Sequence, residues 1–127
     1  MGAHHFEELD AWKLANELKL RVYQLIDRPA VARDFKFRDQ ITDSAASAPR
    51  NIAEGFGRYE PLDFRQFLRI ANASLYETSN HLRDGVDRRH FTGKEIVELQ
   101  LLANRASATK ATKTSWPHRT QSKFCSL

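Results

Sequence analysis

The residues best placed to do chemistry lie between Gln40 and Arg58. Gln40, Ser44, Ser47, Asn51, Glu54 and Arg58 recur at steps of three and four, so on a helix they line one face. Ser74, Glu77 and His81 follow the same spacing further along. Hydroxyls, an amide, a carboxylate and a guanidinium in one stripe allow three readings: a solvated face, a hydrogen-bonded seam between helices or subunits, or a ligand or catalytic site. Neither Ser47 nor Ser74 has an identifiable base, which nucleophilic catalysis requires. Glu77, His81 and Asp84 share a helical face and could hold a metal, yet such a trio also suits a solvated surface. A di-iron bundle needs two Glu-x-x-His pairs on facing helices, but Asn80 stands three residues after Glu77 and no Glu-x-x-His occurs. P-loop, HExxH and glycine-rich dinucleotide motifs are absent too. His4 and His5 have no nameable partner, and the lone Cys125 has no neighbour that would activate its thiol. The expectation is a protein without enzymatic activity, cofactor or metal.

Four amphipathic helices are expected to position these residues. The first spans about 10–27, capped by Asp10, with Ala11, Leu14, Ala15, Leu18, Val22 and Leu25 as its apolar stripe. Trp12 and Tyr23 lie off that stripe, at a core edge or facing another chain. Arg28-Pro29 ends the helix, and Asp34 is placed to cap the second, over 35–56. There Phe37, Ile41, Ala45, Ala48, Ile52 and Phe56 keep phase straight through Pro49. Unbroken phase predicts one proline-kinked helix, with a true break near Ala48 as the alternative. Gly55 and Gly57 read as its stop. The third helix spans 61–83, opened by Pro61 and stopped by Gly85. Thr92-Gly93-Lys94-Glu95 is a capping box opening the fourth, over 93–106 or slightly beyond. Short links between such helices favour an all-α, up-down-up-down antiparallel four-helix bundle over residues 1–106.

Residues 107–127 read as a poorly ordered basic tail. The last 29 residues carry Arg105, Lys110, Lys113, Arg119 and Lys123 and no acid, whereas the first 98 hold 15 basic and 16 acidic residues. Such a tail can bind phosphate backbones without reading bases, or simply be solvated. No window approaches the ~18 apolar residues of a membrane span. The N-terminus lacks a signal peptide's basic start and apolar core, and one cysteine fits a reducing cytoplasm.

The stretch QITDSAASAPRNIAEGFGR resembles the motif of small bacterial four-helix-bundle proteins encoded in intervening sequences of large-subunit ribosomal RNA genes. Gln40, Ile41, Ser47, Pro49, Asn51, Ile52, Ala53, Glu54, Gly55, Gly57 and Arg58 stand at the matching places. The opening FEELDAWKLA is similar to that family's start through Phe6, Leu9, Trp12 and Ala15. FRQFLRIANASLYET matches a third motif through Phe64, Phe67, Leu68, Ala71, Ser74, Leu75 and Glu77. The resemblance covers roughly residues 6 to 105. It implies a ring-like homo-pentamer, and a likeness to accessory proteins of diversity-generating retroelements, which associate with a reverse transcriptase and nucleic acid. Thr42 and Asp43 depart from the pattern, standing where many members are basic, and the chain after Ala106 does not resemble the family's fourth helix.

Two functions are expected on these grounds. One is a homo-oligomeric scaffold, with Gln40, Ser47, Asn51, Glu54, Arg58 and Glu77 as a candidate subunit seam. Trp12, Tyr23, Phe56, Tyr59 and Tyr76 are its candidate exposed aromatic contacts. The other is non-specific RNA or DNA binding through Arg50, Arg58, Arg65, Arg69, Arg105, Lys110, Lys113, Arg119 and Lys123.

Overall fold

In the computed structural model, which describes residues 3–58 and 60–109, every element is helical. A 3-10 turn at Phe6–Glu8 precedes α1 (Asp10–Leu25), α2 (Pro29–Arg33), α3 (Phe35–Phe56), α4 (Pro61–Asp87) and α5 (Gly93–Ala108). The tail Lys110, Lys113, Arg119 and Lys123, with Tyr59, lies outside the described residues.

The apolar stripes do what their spacing requires. Ala15, Leu18 and Val22 of α1 are buried, as are Phe37, Ile41, Ala45, Ala48, Ile52 and Phe56 of α3. Phe64, Ala71, Leu75 and Leu82 of α4 join Ile96, Leu99, Leu102, Ala103 and Ala106 of α5 in the same core. Each fully buried leucine, isoleucine or phenylalanine contributes about 1.5–3 kcal/mol, so this one cluster dominates stability. α3 packs on α1 and α4, and α5 packs on the same two helices. Partners along α3 and α4 run in opposite order: Ser44 bonds Thr78 while Ser47 bonds Ser74. Gly55 further along lies against Phe67 and Phe64.

α3 is a single helix through the buried Pro49, which rules out a break near Ala48. Ala45, four residues back, has only a methyl beside the carbonyl that loses its donor.

Several boundaries differ from the sequence reading. α1 stops at Leu25 rather than residue 27, because Arg28 is extended ahead of Pro29. Asp10 is not its cap; extended Leu9 holds that place, and Asp10 is the first helical residue, where a carboxylate still suits the dipole. α2 was not expected, since five residues are too few to show a period. Proline at its start supplies the helical φ, and Val31 anchors it in the core.

The glycines correct the reading most. Gly55 is inside α3, and a Cβ there would stand 2.7 Å from Phe67 Cβ. It permits close approach of α4 rather than ending α3. Gly57 does cap α3, but in right-handed geometry with φ −70°. Gly85 does not stop α4, which runs on to Asp87. It is buried, and a Cβ would collide with the Phe91 ring. The reversal falls at Arg89 instead, in the left-handed region with φ 65°. α5 opens on the expected capping box: Glu95 N–H donates to Thr92 Oγ1 (3.2 Å) and Thr92 N–H to Glu95 Oε1 (2.8 Å). It ends at Ala108.

Candidate interaction surface

The close approach of α3 and α4 brings the two polar stripes together. Thr78 Oγ1 and Ser44 Oγ lie 2.9 Å apart, and both residues are buried. Ser74 Oγ and Ser47 Oγ lie 2.8 Å apart, and Asn51 Nδ2 donates to Ser47 O (2.8 Å) and Ser47 Oγ (2.9 Å). Ser44 also approaches Ile41 O, Ser74 approaches Ile70 O, and Thr78 approaches Ser74 O. A hydroxyl has one proton. Ser44 and Thr78 therefore share two protons among three contacts, so one contact at a time is without its hydrogen. Such a seam sets register more than it adds stability.

Of the six residues expected at a seam, Ser47 and Asn51 are in this one, which joins helices of the same chain. Gln40, Glu54, Arg58 and Glu77 are exposed along its rim. Arg58 and Glu54 pair at 3.7 Å, as their spacing suggests, and the Arg58 guanidinium lies over the Phe67 ring, 5.2 Å from its centroid. Glu77 reaches His81 Nε2 at 3.6 Å, a buried nitrogen with no hydrogen bond. Asp84 is drawn off to Arg88, whose Nε donates to it at 2.8 Å. The Glu77, His81, Asp84 trio is thus not assembled. Among the described residues no group of three His, Cys, Asp or Glu could hold a metal ion.

A polar cluster that the sequence did not reveal closes one end of the helices. Arg28 donates to His90 O (3.0 Å) and forks onto both carboxylate oxygens of Glu95. His90 Nε2 lies 2.8 Å from Asp34 Oδ2, which also accepts from Arg88 (3.2 Å). The Arg28 hydrogen bonds hold the Glu95 carboxyl down at about 2, with the Thr92 amide helping. The Arg28 guanidinium is raised in turn, chiefly by Glu95. Asp34 is held below its ordinary range, first by His90. Asp34 occupies the N-cap place of α3, but its strong partners are His90 and Arg88 and it makes no side-chain capping bond. The capping box pointed to Glu95; nothing local pointed to Arg28 or His90.

The arginines expected to meet nucleic acid are not gathered. Arg50, Arg65, Arg69 and Arg105 are exposed on α3, α4, α4 and α5, and none has an ion pair among the described residues. The expected aromatic contacts divide. Tyr76 is 63% exposed and Tyr23 38%. Trp12 is half-buried at the core edge, edge-on to Phe6 at 5.3 Å. Phe56 is not available at all: it is buried, because its place in the apolar phase of α3 prevails. Leu20, Phe35, Leu62, Ile70, Val97 and Leu101, not anticipated from the sequence, are exposed large apolar side chains. No described helix is long and apolar enough to cross a membrane.

A comparison with curated proteins finds no match. A family model described as 23S rRNA-intervening sequence protein matches residues 7–110, which hold the three motif stretches except Phe6 and all the long helices. The chain therefore belongs to the 23S rRNA-intervening sequence protein family.

Proposed function

We propose that the protein is a non-enzymatic, self-assembling scaffold or adaptor of the cytoplasm. Its four long helices form an up-down-up-down antiparallel bundle, bent in α3 at Pro49. The opposite order of the α3–α4 pairs supports this arrangement, as do the Arg21–Glu98 bridge between α1 and α5 and the Arg28–Glu95 bridge just past the end of α1. The observation that carries the assembly reading is the apolar surface left over once the core is filled. Leu62 is 70% exposed, Phe35 66%, Tyr76 63% and Val97 51%. Scattered apolar residues are ordinary, but large ones on the outer faces of three different helices fit contacts between subunits. The ring of five implied by the family likeness is the assembly we propose. Sedimentation velocity of the full chain tests it: a single boundary at five chains or a multiple supports it, and a 14.6 kDa species at micromolar concentration contradicts it.

A second reading rests on Arg65 and Arg69. They stand one turn apart on α4, exposed and unpaired, and Tyr76 lies on the same outward side. Repeated around a ring, such a weak basic patch gains avidity for RNA or DNA. This binding would ignore sequence and fall steeply with salt. A reverse transcriptase, the partner implied by the retroelement likeness, belongs to this same reading. Replacing both arginines by glutamate should lower affinity for any single-stranded oligonucleotide and flatten its salt dependence; unchanged binding would remove the reading.

A further inference from the structure

The outer face shared by α1 and α5 carries two exposed leucines, one of them flanked by charges of opposite sign. Leu20 of α1 is 50% exposed and Leu101 of α5 is 57% exposed. The Arg21–Glu98 bridge, and the Arg28–Glu95 bridge just past the end of α1, run in opposite order along the chain. The first sets Leu20 within a turn of the level of Leu101.

Charges of opposite sign stand on either side of Leu101. On α1, Lys13 lies seven residues before Leu20, almost two helical turns away and so on the same side. On α5, Glu98 lies three residues before Leu101 and Arg105 four after, again on one face. All three charged side chains are exposed. Lys13 and Arg105 make no ion pair among the described residues, and Glu98 has only a 3.4 Å contact with Arg21 at the surface.

We propose that a second copy of this chain docks here, face to face, across a two-fold axis passing through the level of Leu20 and Leu101. A two-fold axis in the plane of contact, perpendicular to the helices, sets α1 against α1 and α5 against α5 with direction reversed. Leu20 and Leu101 then pack on their own copies. Arg105 meets Glu98 of the partner subunit, and this pair occurs twice. A patch whose charges change sign about its apolar centre is complementary to itself in this orientation alone, as an isologous contact requires. The copies laid parallel would oppose like charges. The contact does not depend on the ring proposed above; it joins two of whatever unit the other faces build.

Light scattering of the full-length chain and its variants tests the contact. Leu101→Glu should halve the mass found for the unaltered protein, because it sets two carboxylates against each other at the axis. Leu101 is outward-facing, so the helical circular dichroism spectrum should not change. Arg105→Glu should raise the concentration at which the assembly splits in half by about tenfold or more. The double exchange Glu98→Arg with Arg105→Glu restores both pairs across the axis and should recover the original midpoint. Equal mass with and without Leu101→Glu overturns the proposal. So does a double exchange as weak as the single change. A ring that fails shows instead as a subunit number that is not a multiple of five.

Discussion

The Arg28–Glu95 bridge ties the link between α1 and α2 to the start of α5, and Glu95→Gln isolates its charge. Glutamine at this position still serves a capping box, so the start of α5 keeps its hydrogen bonds. What is lost is the ionic part of the fork with Arg28. Glu95 is held at about 2 against an ordinary 4.5. A difference of two and a half units would correspond to roughly 3 kcal/mol if fully expressed. The side chains of Arg28 and Glu95 are 36% and 32% exposed, so water screens much of it, and about 1 kcal/mol is the expected loss at pH 7. For a domain of this size that is about 4–8 °C in Tm. The sign with pH follows from the depressed carboxyl. The bridge is fully present above the ordinary carboxylate range and is lost as pH falls from about 4.5 to about 2. Urea unfolding of both proteins from pH 7 to pH 2 should therefore show a gap that closes in acid. Equal stability at pH 7, or a gap that persists at pH 2, would refute this account of the bridge.

Three other changes probe the packing. Ser44→Ala alone should cost about 1–2 kcal/mol by leaving the buried Thr78 hydroxyl poorly paired, whereas Ser44→Ala with Thr78→Val should be nearly neutral. A double-mutant cycle by urea unfolding reads the difference. Gly55→Ala puts a Cβ 2.7 Å from Phe67 Cβ, and the overpacking, about 1–3 kcal/mol, should outweigh a helix-propensity gain of about 0.5–1. Thermal melts should show a lower Tm. Gly85→Ala should likewise destabilise, since Phe91 has Phe37 and Arg28 beside it, and a stabilised variant would mean that Phe91 can move aside.

The helices were legible because their information is local. Phe37 to Phe56 keeps one period through Pro49, and that period alone carries α3 past the proline. Thr92 and Glu95 announce the start of α5 within four residues. What failed to show depends on partners distant in the chain. Gly85 looks like a stop signal until Phe91 folds back onto it, because a glycine in sequence does not tell a cap from a close approach. The end cluster draws Arg28, Asp34, Arg88, His90 and Glu95 from four segments with no common period. The stripe on α3 was visible as a stripe, but its sorting into seam and rim follows from where α4 lies. Ser47 and Asn51 face Ser74 across that contact, while Glu54 and Arg58 face outward. Phe56 was legible in its phase and misjudged when weighed by residue type.

Self-assembly is the central claim, and native mass spectrometry of the full-length chain counts subunits directly. The account predicts a single dominant species whose subunit number is five or a multiple of five. A spectrum dominated by one chain of 14.6 kDa at micromolar concentration would contradict it.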